Sequence, residues 1–179
     1  MGYSYEVQRL EELTSQIRGI LLKNSPIVIG AGYIGRRLSK KLGCKATTRA
    51  EFNLLDFDPS FLKDYSTIYL CAGANGAKRC EGQQDAYRAN VDATQKIARH
   101  SLFLVWISSM SIEWSEGAYQ RQKRQAEALV SNMDNVATIR AGRVVDSNID
   151  DLCDLMVEVG TKRVSGLYRW GNDDIAYQK

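Results

Sequence analysis

Residues 26–42, which read PIVIGAGYIGRRLSKKL, constrain the fold of this chain more than any other segment. An apolar run, a complete G-x-G-x-x-G and an amphipathic pattern follow one another, which predicts a buried strand, a tight turn and a helix. In such a unit Gly30 permits the turn, Gly32 lets the backbone approach a pyrophosphate, and Gly35 lets the helix pack closely on the sheet. The start of the helix offers unpaired N–H groups and a partial positive charge to phosphates. The segment therefore predicts a dinucleotide site, and the alternative is a glycine-rich turn without a ligand.

Composition narrows the class of protein. The chain has 179 residues, of which 44% are hydrophobic and 25% charged, as expected for a single soluble globular domain. The net charge is only +3 and no basic run alternates with aromatic residues, so we expect no nucleic-acid partner. We find no apolar stretch near the ~20 residues of a membrane span and no signal-peptide pattern, which predicts a cytoplasmic protein with no membrane partner. Four scattered cysteines and one histidine lack metal-ligand spacing, so we expect reduced thiols and no metal site.

The N-terminal segment, residues 1–25, is predicted to be a helical extension. Between residues 4 and 23 apolar side chains recur every three or four positions among polar ones, which is typical of an amphipathic helix. This helix precedes the first strand and is an addition to the usual nucleotide-binding plan. In one interpretation the helix packs on the sheet of its own chain. In the other it mediates self-association, such as formation of a homodimer.

Strand and helix patterns alternate through the rest of the chain. Further strands are predicted at 45–48, 67–71, 102–107, 136–140 and 166–170, and helices at 84–99, 119–131 and 149–159. On the helix at 119–131, we expect Ala126, Leu129 and Val130 to be buried. The alternation predicts an α/β fold, a three-layer Rossmann-type doubly wound parallel sheet. We expect one domain over residues 1–179, with a much reduced C-terminal substrate region at 143–179.

The end of the second strand bears on the choice of cofactor. A fold that prefers NAD would place Asp or Glu there, ~20 residues past the first glycine, to hold the ribose hydroxyls. This chain instead has Thr48 and Arg49, and a planar guanidinium suits the 2′-phosphate of NADP. Arg36, directly after the last glycine, is a second candidate contact. The sequence therefore favours NADP over NAD, although Arg49 as a solvated loop residue is the alternative.

Small and polar residues follow two of the buried strands. Cys71, Ala72 and Gly73 end or follow the strand at 67–71, where small side chains leave room for a cofactor across the sheet edge. Ser108 and Ser109 follow the most apolar strand. Open α/β sheets keep their sites at the carboxyl ends of strands, so we expect the functional site at this edge.

Several segments also occur in the order of a known family. They are GAGYIG at 30–35, Leu54-Leu55-Asp56, CAGA at 71–74, NVDAT at 90–94, ISS at 107–109, Tyr119 with Lys123 as Y-x-x-x-K, RAGRV at 140–144 and IDDL at 149–152. In this order the chain resembles the short-chain dehydrogenase/reductase superfamily, in its extended branch of nucleotide-sugar epimerases, dehydratases and reductases. The likeness spans nearly all of residues 26–170, with Ala141 where the family often has proline.

The resemblance implies a catalytic set. Positions i and i+4 share a helix face, so Lys123 would lie near both the nicotinamide ribose and the phenol of Tyr119, and its charge would lower the tyrosine pKa. Ser109 would orient the substrate oxygen, Tyr119 would transfer the proton, and Asn90 would lie near the nicotinamide. The alternative is a surface tyrosine and lysine on an amphipathic helix. The implied cofactor-binding residues are Gly30, Gly32, Tyr33, Ile34, Gly35, Thr48, Arg49, Asp56, Cys71, Ala72, Gly73 and Lys123.

Two departures from the family pattern limit the choice of substrate. Only residues 110–118 separate Ser109 from Tyr119, and a short stretch follows Arg140, whereas extended members carry a long loop and a sizeable C-terminal domain at these places. The predicted function is an NADP(H)-preferring oxidoreductase acting on a small carbonyl, alcohol or sugar-derived substrate. An epimerase or dehydratase-like enzyme, or a non-catalytic dinucleotide-binding regulator, are the alternatives.

Overall fold

A computed structural model describes residues 25–171 together with residues 7, 9, 10, 13 and 14. Those five separate residues are helical, but most of the helix predicted over 4–23 and its role in self-association lie outside the described residues. The polar tail at 172–179 lies outside them as well. Within the described part, no helix is both long and apolar enough to cross a membrane.

Within the described residues, six parallel strands form the central sheet. They are β1 Pro26–Ile29, β2 Ala46–Thr47, β3 Thr67–Leu70, β4 Leu104–Ser109, β5 Val136–Ala141 and β6 Gly166–Trp170. Their order across the sheet is β2-β1-β3-β4-β5-β6, and every neighbouring pair is parallel. The chain reverses direction across the sheet at β1 and β3, which is the switch point where such sheets bind ligands. The predicted doubly wound α/β fold is confirmed.

Helices cover both faces of the sheet. The helices are α1 Tyr33–Leu42, α2 Ala77–Cys80, α3 Gln84–Tyr87, a π-helical turn Arg88–Asp92, α4 Ala93–His100, α5 Ala118–Val130 and α6 Ile149–Lys162, with 3₁₀ turns at Pro59–Asp64 and Met110–Glu113. One core lies between the sheet and the layer of α4, α5 and the first 3₁₀ turn. The other lies between the sheet and the layer of α1 and α6. These are the three layers that the sequence predicted.

The position of α6 is unusual for a parallel sheet. The connections β4-α5-β5 and β5-α6-β6 move across the sheet in the same direction, yet α5 and α6 lie on opposite faces. The β5-α6-β6 crossover therefore has the opposite hand to the others, which are right-handed as nearly all such units are. As a result α6 packs beside α1. Side chains spaced by four residues on α1 pair with acidic ones at the same spacing: Tyr33 with Asp146, Arg37 with Asp150, and Lys41 with Asp154.

Between β2 and β3 the described chain forms turns and no further strand of the sheet. An isolated bridge joins Asn53 to Asp56. Phe52 is buried, and its ring centroid lies 4.7 Å from that of Phe57 and 5.4 Å from that of Phe61. This aromatic cluster packs against the hydrophobic core on one face of the sheet. Because the cluster adds no strand, β2 is the edge strand of the described sheet.

Two details differ from the sequence predictions. The strand predicted at 102–107 begins at Leu104 and continues through Ser109, which pairs with Ala141 of β5, so both serines belong to the strand. Leu129, predicted to be buried, is 38% exposed. It lies on the flank of the buried stripe of α5, which Ala126 and Val130 occupy.

Candidate active site

The glycine turn between β1 and α1 is fixed by close backbone approach. Gly30 has φ of +107°, and a Cβ there would lie 2.7 Å from the backbone nitrogen of Ala72. A Cβ at Gly35 would lie 1.8 Å from the carbonyl oxygen of Gly30. Around a Cβ at Gly32, by contrast, no heavy atom lies within 4 Å. Packing of the protein accounts for the first and third glycines, whereas the space beside the second is open to a ligand.

The start of α1 suits an anionic group. Gly32 is the N-cap residue, no side chain caps the helix, and its first turn contains no acidic residue. The Arg36 side chain curls back over the turn, with Nε donating to the carbonyl of Ala31 at 2.7 Å. A cleft of about 690 Å³ opens at this point between α1 and the start of α6, with Tyr33 and Asp146 among its lining residues. Helix N–H groups, an open glycine and a guanidinium together fit the pyrophosphate of a dinucleotide.

Two charged residues follow β2: the Glu51 carboxylate, which has partners, and the Arg49 guanidinium, which has none among the described residues. Glu51 accepts hydrogen bonds from the Thr48 backbone N–H at 2.9 Å and from its hydroxyl at 3.0 Å. Its ion pair with Lys45, together with these bonds, lowers the pKa of Glu51 to about 2. Arg49 is exposed and makes no hydrogen bond or ion pair to the part of the chain that the structure describes. Asp56 is exposed on the following turn, where its N–H donates to Asn53.

The turn after β3 is held by Asn90, from the π-helical turn. Asn90 is 2% exposed, and its side chain accepts from the Ala74 N–H at 2.8 Å and donates to the Ala74 carbonyl at 3.0 Å. It also donates to Oε1 of Gln122 at 2.8 Å. A Cβ at Gly73 would lie 2.7 Å from Asn90 Oδ1. Asn90 therefore fixes this turn, and its role in catalysis stays a prediction.

Gln122 is a buried partner that the sequence analysis missed. It lies on α5 between Tyr119 and Lys123, and its Nε2 donates to the Cys80 carbonyl at 3.4 Å. Cys80 packs with Ala74 and Tyr119 in a small apolar cluster. The turn after β3 and the helix carrying Tyr119 are thereby joined.

The structure brings Ser109, Tyr119 and Lys123 together at the carboxyl end of β4. The Ser109 hydroxyl is near enough to the Tyr119 phenol to lower its pKa, and it shares a hydrogen bond of 2.8 Å with the Ser111 hydroxyl. Nζ of Lys123 lies 5.8 Å from the ring centroid of Tyr119 and 4.7 Å from that of Trp106. Nζ donates its hydrogen bond to the Ile107 carbonyl at 2.8 Å. Lys123 therefore faces the tyrosine ring from within the protein, with only 6% of its surface exposed.

The short connection at 110–118 keeps Ser109 and Tyr119 close together. It begins with the 3₁₀ turn and is tied to α5 by Arg124, which donates to the Ser115 carbonyl at 3.1 Å and pairs with Glu116 at 2.6 Å. Gln120 also donates to the Ser111 hydroxyl at 3.1 Å. A long loop is therefore not needed to bring the two residues together.

The protonation states differ from the sequence prediction. Burial raises the pKa of Tyr119 to about 12, and the nearby Ser109 hydroxyl offsets only part of this rise. Burial also lowers the pKa of Lys123 to about 8, against the opposing effect of Glu127. The expectation that Lys123 lowers the tyrosine pKa was wrong for this state, because desolvation disfavours the charged form of each group. Tyr119 is thus a protonated phenol at neutral pH.

A half-buried ion network flanks these residues. Arg140 at the end of β5 pairs with Glu127 at 2.6 Å and with Glu113 at 2.8 Å, and Glu113 also binds Arg169 of β6. One feature of the sequence pointed to this ion network, since Glu127 follows Lys123 by one helical turn.

Near the network, the buried hydroxyl of Ser108 has no hydrogen-bond partner among the described residues.

Comparison with known proteins bears on the fold. No protein-family model and no curated protein matches the sequence. Among solved structures, an NAD-dependent NDP-hexosamine 5,6-dehydratase involved in tunicamycin biosynthesis is similar with a TM-score of 0.67 and 15% identity, over 83% of this chain and 76% of that one. A short-chain dehydrogenase from Burkholderia cenocepacia in complex with NADP gives a TM-score of 0.68 and 11% identity, over 87% of this chain and 92% of that one.

A third similar structure is a nucleoside-diphosphate-sugar epimerase from Agrobacterium tumefaciens, with a TM-score of 0.53 and 18% identity, over 66% of this chain and 53% of that one. At these identities the likeness concerns the fold. These structures confirm the three-layer α/β fold with a doubly wound parallel sheet that the resemblance implied.

Proposed function

We propose that this chain is an NAD(P)-dependent oxidoreductase with a preference for NADP(H), which interconverts a small carbonyl compound or sugar derivative with its alcohol. The observation that carries the proposal is the gathering of Ser109, Tyr119 and Lys123 at the carboxyl end of β4. The glycine turn opens at the same edge of the sheet, because all six strands are parallel. The similar structures include proteins described as dependent on NAD or in complex with NADP, which supports the choice of cofactor.

Each side chain has a distinct task. When bound, the nicotinamide supplies or accepts hydride. Ser109 donates a hydrogen bond to the substrate oxygen and orients it. Tyr119 gives its proton to that oxygen as a carbonyl becomes an alcohol, and Lys123 adds positive charge beside the developing phenolate.

The pKa of Tyr119 suits the residue to proton donation. With a pKa of about 12, the phenol holds its proton at neutral pH and is ready to donate it. Alcohol oxidation would need phenolate, which is about one molecule in 10⁵ at pH 7. Tyr119 is therefore in the protonated form that carbonyl reduction uses.

The preference for NADP(H) rests on the end of β2. Glu51 is occupied by Thr48 and Lys45, so it does not offer free oxygens to ribose hydroxyls. Arg49 is exposed, with no hydrogen-bond or ion-pair partner in the described residues. A free guanidinium can bind two oxygens of a 2′-phosphate at once.

Two other functions have support. An epimerase or dehydratase-like enzyme, which retains its cofactor without net redox change, is favoured by the similarity to proteins of those names. A non-catalytic dinucleotide-binding regulator is favoured by the occupied side chains of Asn90 and Lys123, which bond to the protein itself.

NADPH consumption by the purified full chain tests the proposal. Over a panel of small aldehydes, ketones and sugar derivatives, we expect steady loss of NADPH and a slower loss of NADH. Cofactor that co-purifies and is never consumed, together with conversion of a nucleotide sugar, would favour the epimerase. Cofactor binding without conversion of any compound would favour the regulator.

A further inference from the structure

We propose that the substrate carries an anionic group, a carboxylate or a phosphate, and that Arg143 binds it. This inference rests on the proposed function and names its class of substrate. Arg143 lies just after β5, in the loop that precedes α6. It is exposed and makes no hydrogen bond through its guanidinium to any residue in the described ranges.

The register of the sheet places this loop beside the reacting groups. Ser109, the last residue of β4, pairs with Ala141, the last residue of β5. Neighbouring strands lie ~4.8 Å apart, so the backbone of Arg143, two residues further on, leaves the sheet next to Ser109. A substrate whose oxygen meets Ser109 therefore lies within reach of a long side chain at position 143.

Arg143 differs from the neighbouring arginines in having no acidic partner among the described residues. Of the three arginines on β5, on the loop after it and on β6, two are neutralised: Arg140 by Glu127 and Glu113, and Arg169 by Glu113. Arg143, the third of these arginines, has no acidic partner in the described part of the chain. An uncompensated guanidinium beside a substrate site favours an anion, which it can bind through two parallel hydrogen bonds.

The loop around Arg143 is fixed although the side chain is free. The Asn148 side chain accepts from the Val145 N–H at 2.8 Å and donates to the Arg143 carbonyl at 2.9 Å. At its far end the loop is attached to α1 through the bond between Tyr33 and Asp146. A fixed backbone lowers the entropic cost of holding the guanidinium in one place when it binds.

The phosphates of the cofactor are the other anions at this edge. The glycine turn follows β1, which is separated from β5 by β3 and β4, or about 14 Å at ordinary strand spacing. Arg143 lies at the β5 end of its loop, so we assign it to the substrate. The two sources of anion are separated experimentally by measuring cofactor affinity on its own.

A binding experiment tests the inference without requiring turnover. Benzaldehyde and 4-carboxybenzaldehyde are titrated by calorimetry into the full chain saturated with NADP⁺, which holds no hydride to transfer, and into the chain alone. We expect the carboxylated aldehyde to bind about 10- to 100-fold more tightly than the neutral one, as a charge-assisted pair allows. Arg143→Gln should remove this difference without changing NADP⁺ affinity.

Arg99→Gln is the matched control. Arg99 is also exposed, without a partner in the part of the chain described, but it lies near the end of α4, at the opposite edge of the sheet. This variant should keep the preference for the carboxylate. Equal binding of the two aldehydes, binding of neither, or a preference that survives Arg143→Gln would overturn the inference, and so would a loss of NADP⁺ affinity in Arg143→Gln. Proposed catalysis is judged separately, by NADPH consumption.

Discussion

The glycine turn and the Ser109–Tyr119–Lys123 group lie at the same sheet edge but are built differently. Backbone contact determines the turn, since added methyl groups at Gly30 and Gly35 would meet atoms at 2.7 and 1.8 Å. Side-chain burial determines the second group, because burial sets the pKa of Tyr119 and of Lys123. Substitutions in the turn should therefore act through sterics, whereas those in the second group should act through protonation and charge.

The largest expected effect on stability separates two glycines of the same turn. Gly35→Ala should lower the free energy of unfolding by about 3 kcal/mol or more, because its Cβ would overlap the Gly30 carbonyl oxygen and move α1 off the sheet. Gly32→Ala, where no heavy atom lies within 4 Å, should change it by less than about 1 kcal/mol. Chemical denaturation of both variants checks this, and equal losses would show that the turn is not sterically fixed.

A second substitution tests whether the open space beside Gly32 holds the pyrophosphate of the cofactor. Gly32→Val should leave the protein folded but reduce NADPH affinity at least about 100-fold, because the side chain fills the place of the pyrophosphate. Calorimetry on the folded variant measures it. Native affinity would mean that the turn is not the nucleotide site.

The third prediction concerns Arg49, which lies near the turn but acts by charge. Arg49→Ala should weaken NADPH binding about 10- to 100-fold and NADH binding hardly at all, because only NADPH carries the 2′-phosphate. Titration of both cofactors gives the ratio. Equal losses would remove Arg49 from the 2′-phosphate site.

The smallest expected effect, about tenfold over one pH unit, is a pH dependence of the reaction through the Ser109–Tyr119–Lys123 group. The amine of Lys123 is protonated below about pH 8 and neutral above it, so reduction should slow by about tenfold per pH unit above 8. Tyr119 keeps its proton throughout this range because its pKa is about 12. Lys123→Arg should move the decline to higher pH, since arginine stays charged. A rate that stays level to pH 10 in the native chain would show that the Lys123 charge is not used.

Sequence alone predicted the parts of this molecule that local rules control. The order of strands and helices and the functions of Gly30 and Gly35 follow from hydrophobic period and backbone sterics, which are written in adjacent residues. The nearness of Tyr119 to Lys123 follows from helical spacing.

The features that could not be predicted from the sequence depend on contacts between residues far apart in the chain. Burial of Leu129 depends on what surrounds α5, and the bond between Asn90 and Gln122 joins residues far apart in the chain. The pKa of Tyr119 is raised and not lowered because burial removes water from the phenol, and no spacing in the sequence reveals that burial.

Tyr119→Phe tests the central claim most directly, with cofactor affinity and NADPH consumption measured on the same sample. The change removes one hydroxyl and keeps the ring, so affinity should stay within about twofold while turnover falls by about 10²–10⁴-fold, the usual worth of a general acid. Tyr87→Phe, which removes a hydroxyl bound by Gln125 on the same face of the sheet, should leave both unchanged. Native turnover in Tyr119→Phe, or an equal fall in Tyr87→Phe, would contradict the assignment of Tyr119 as the proton donor.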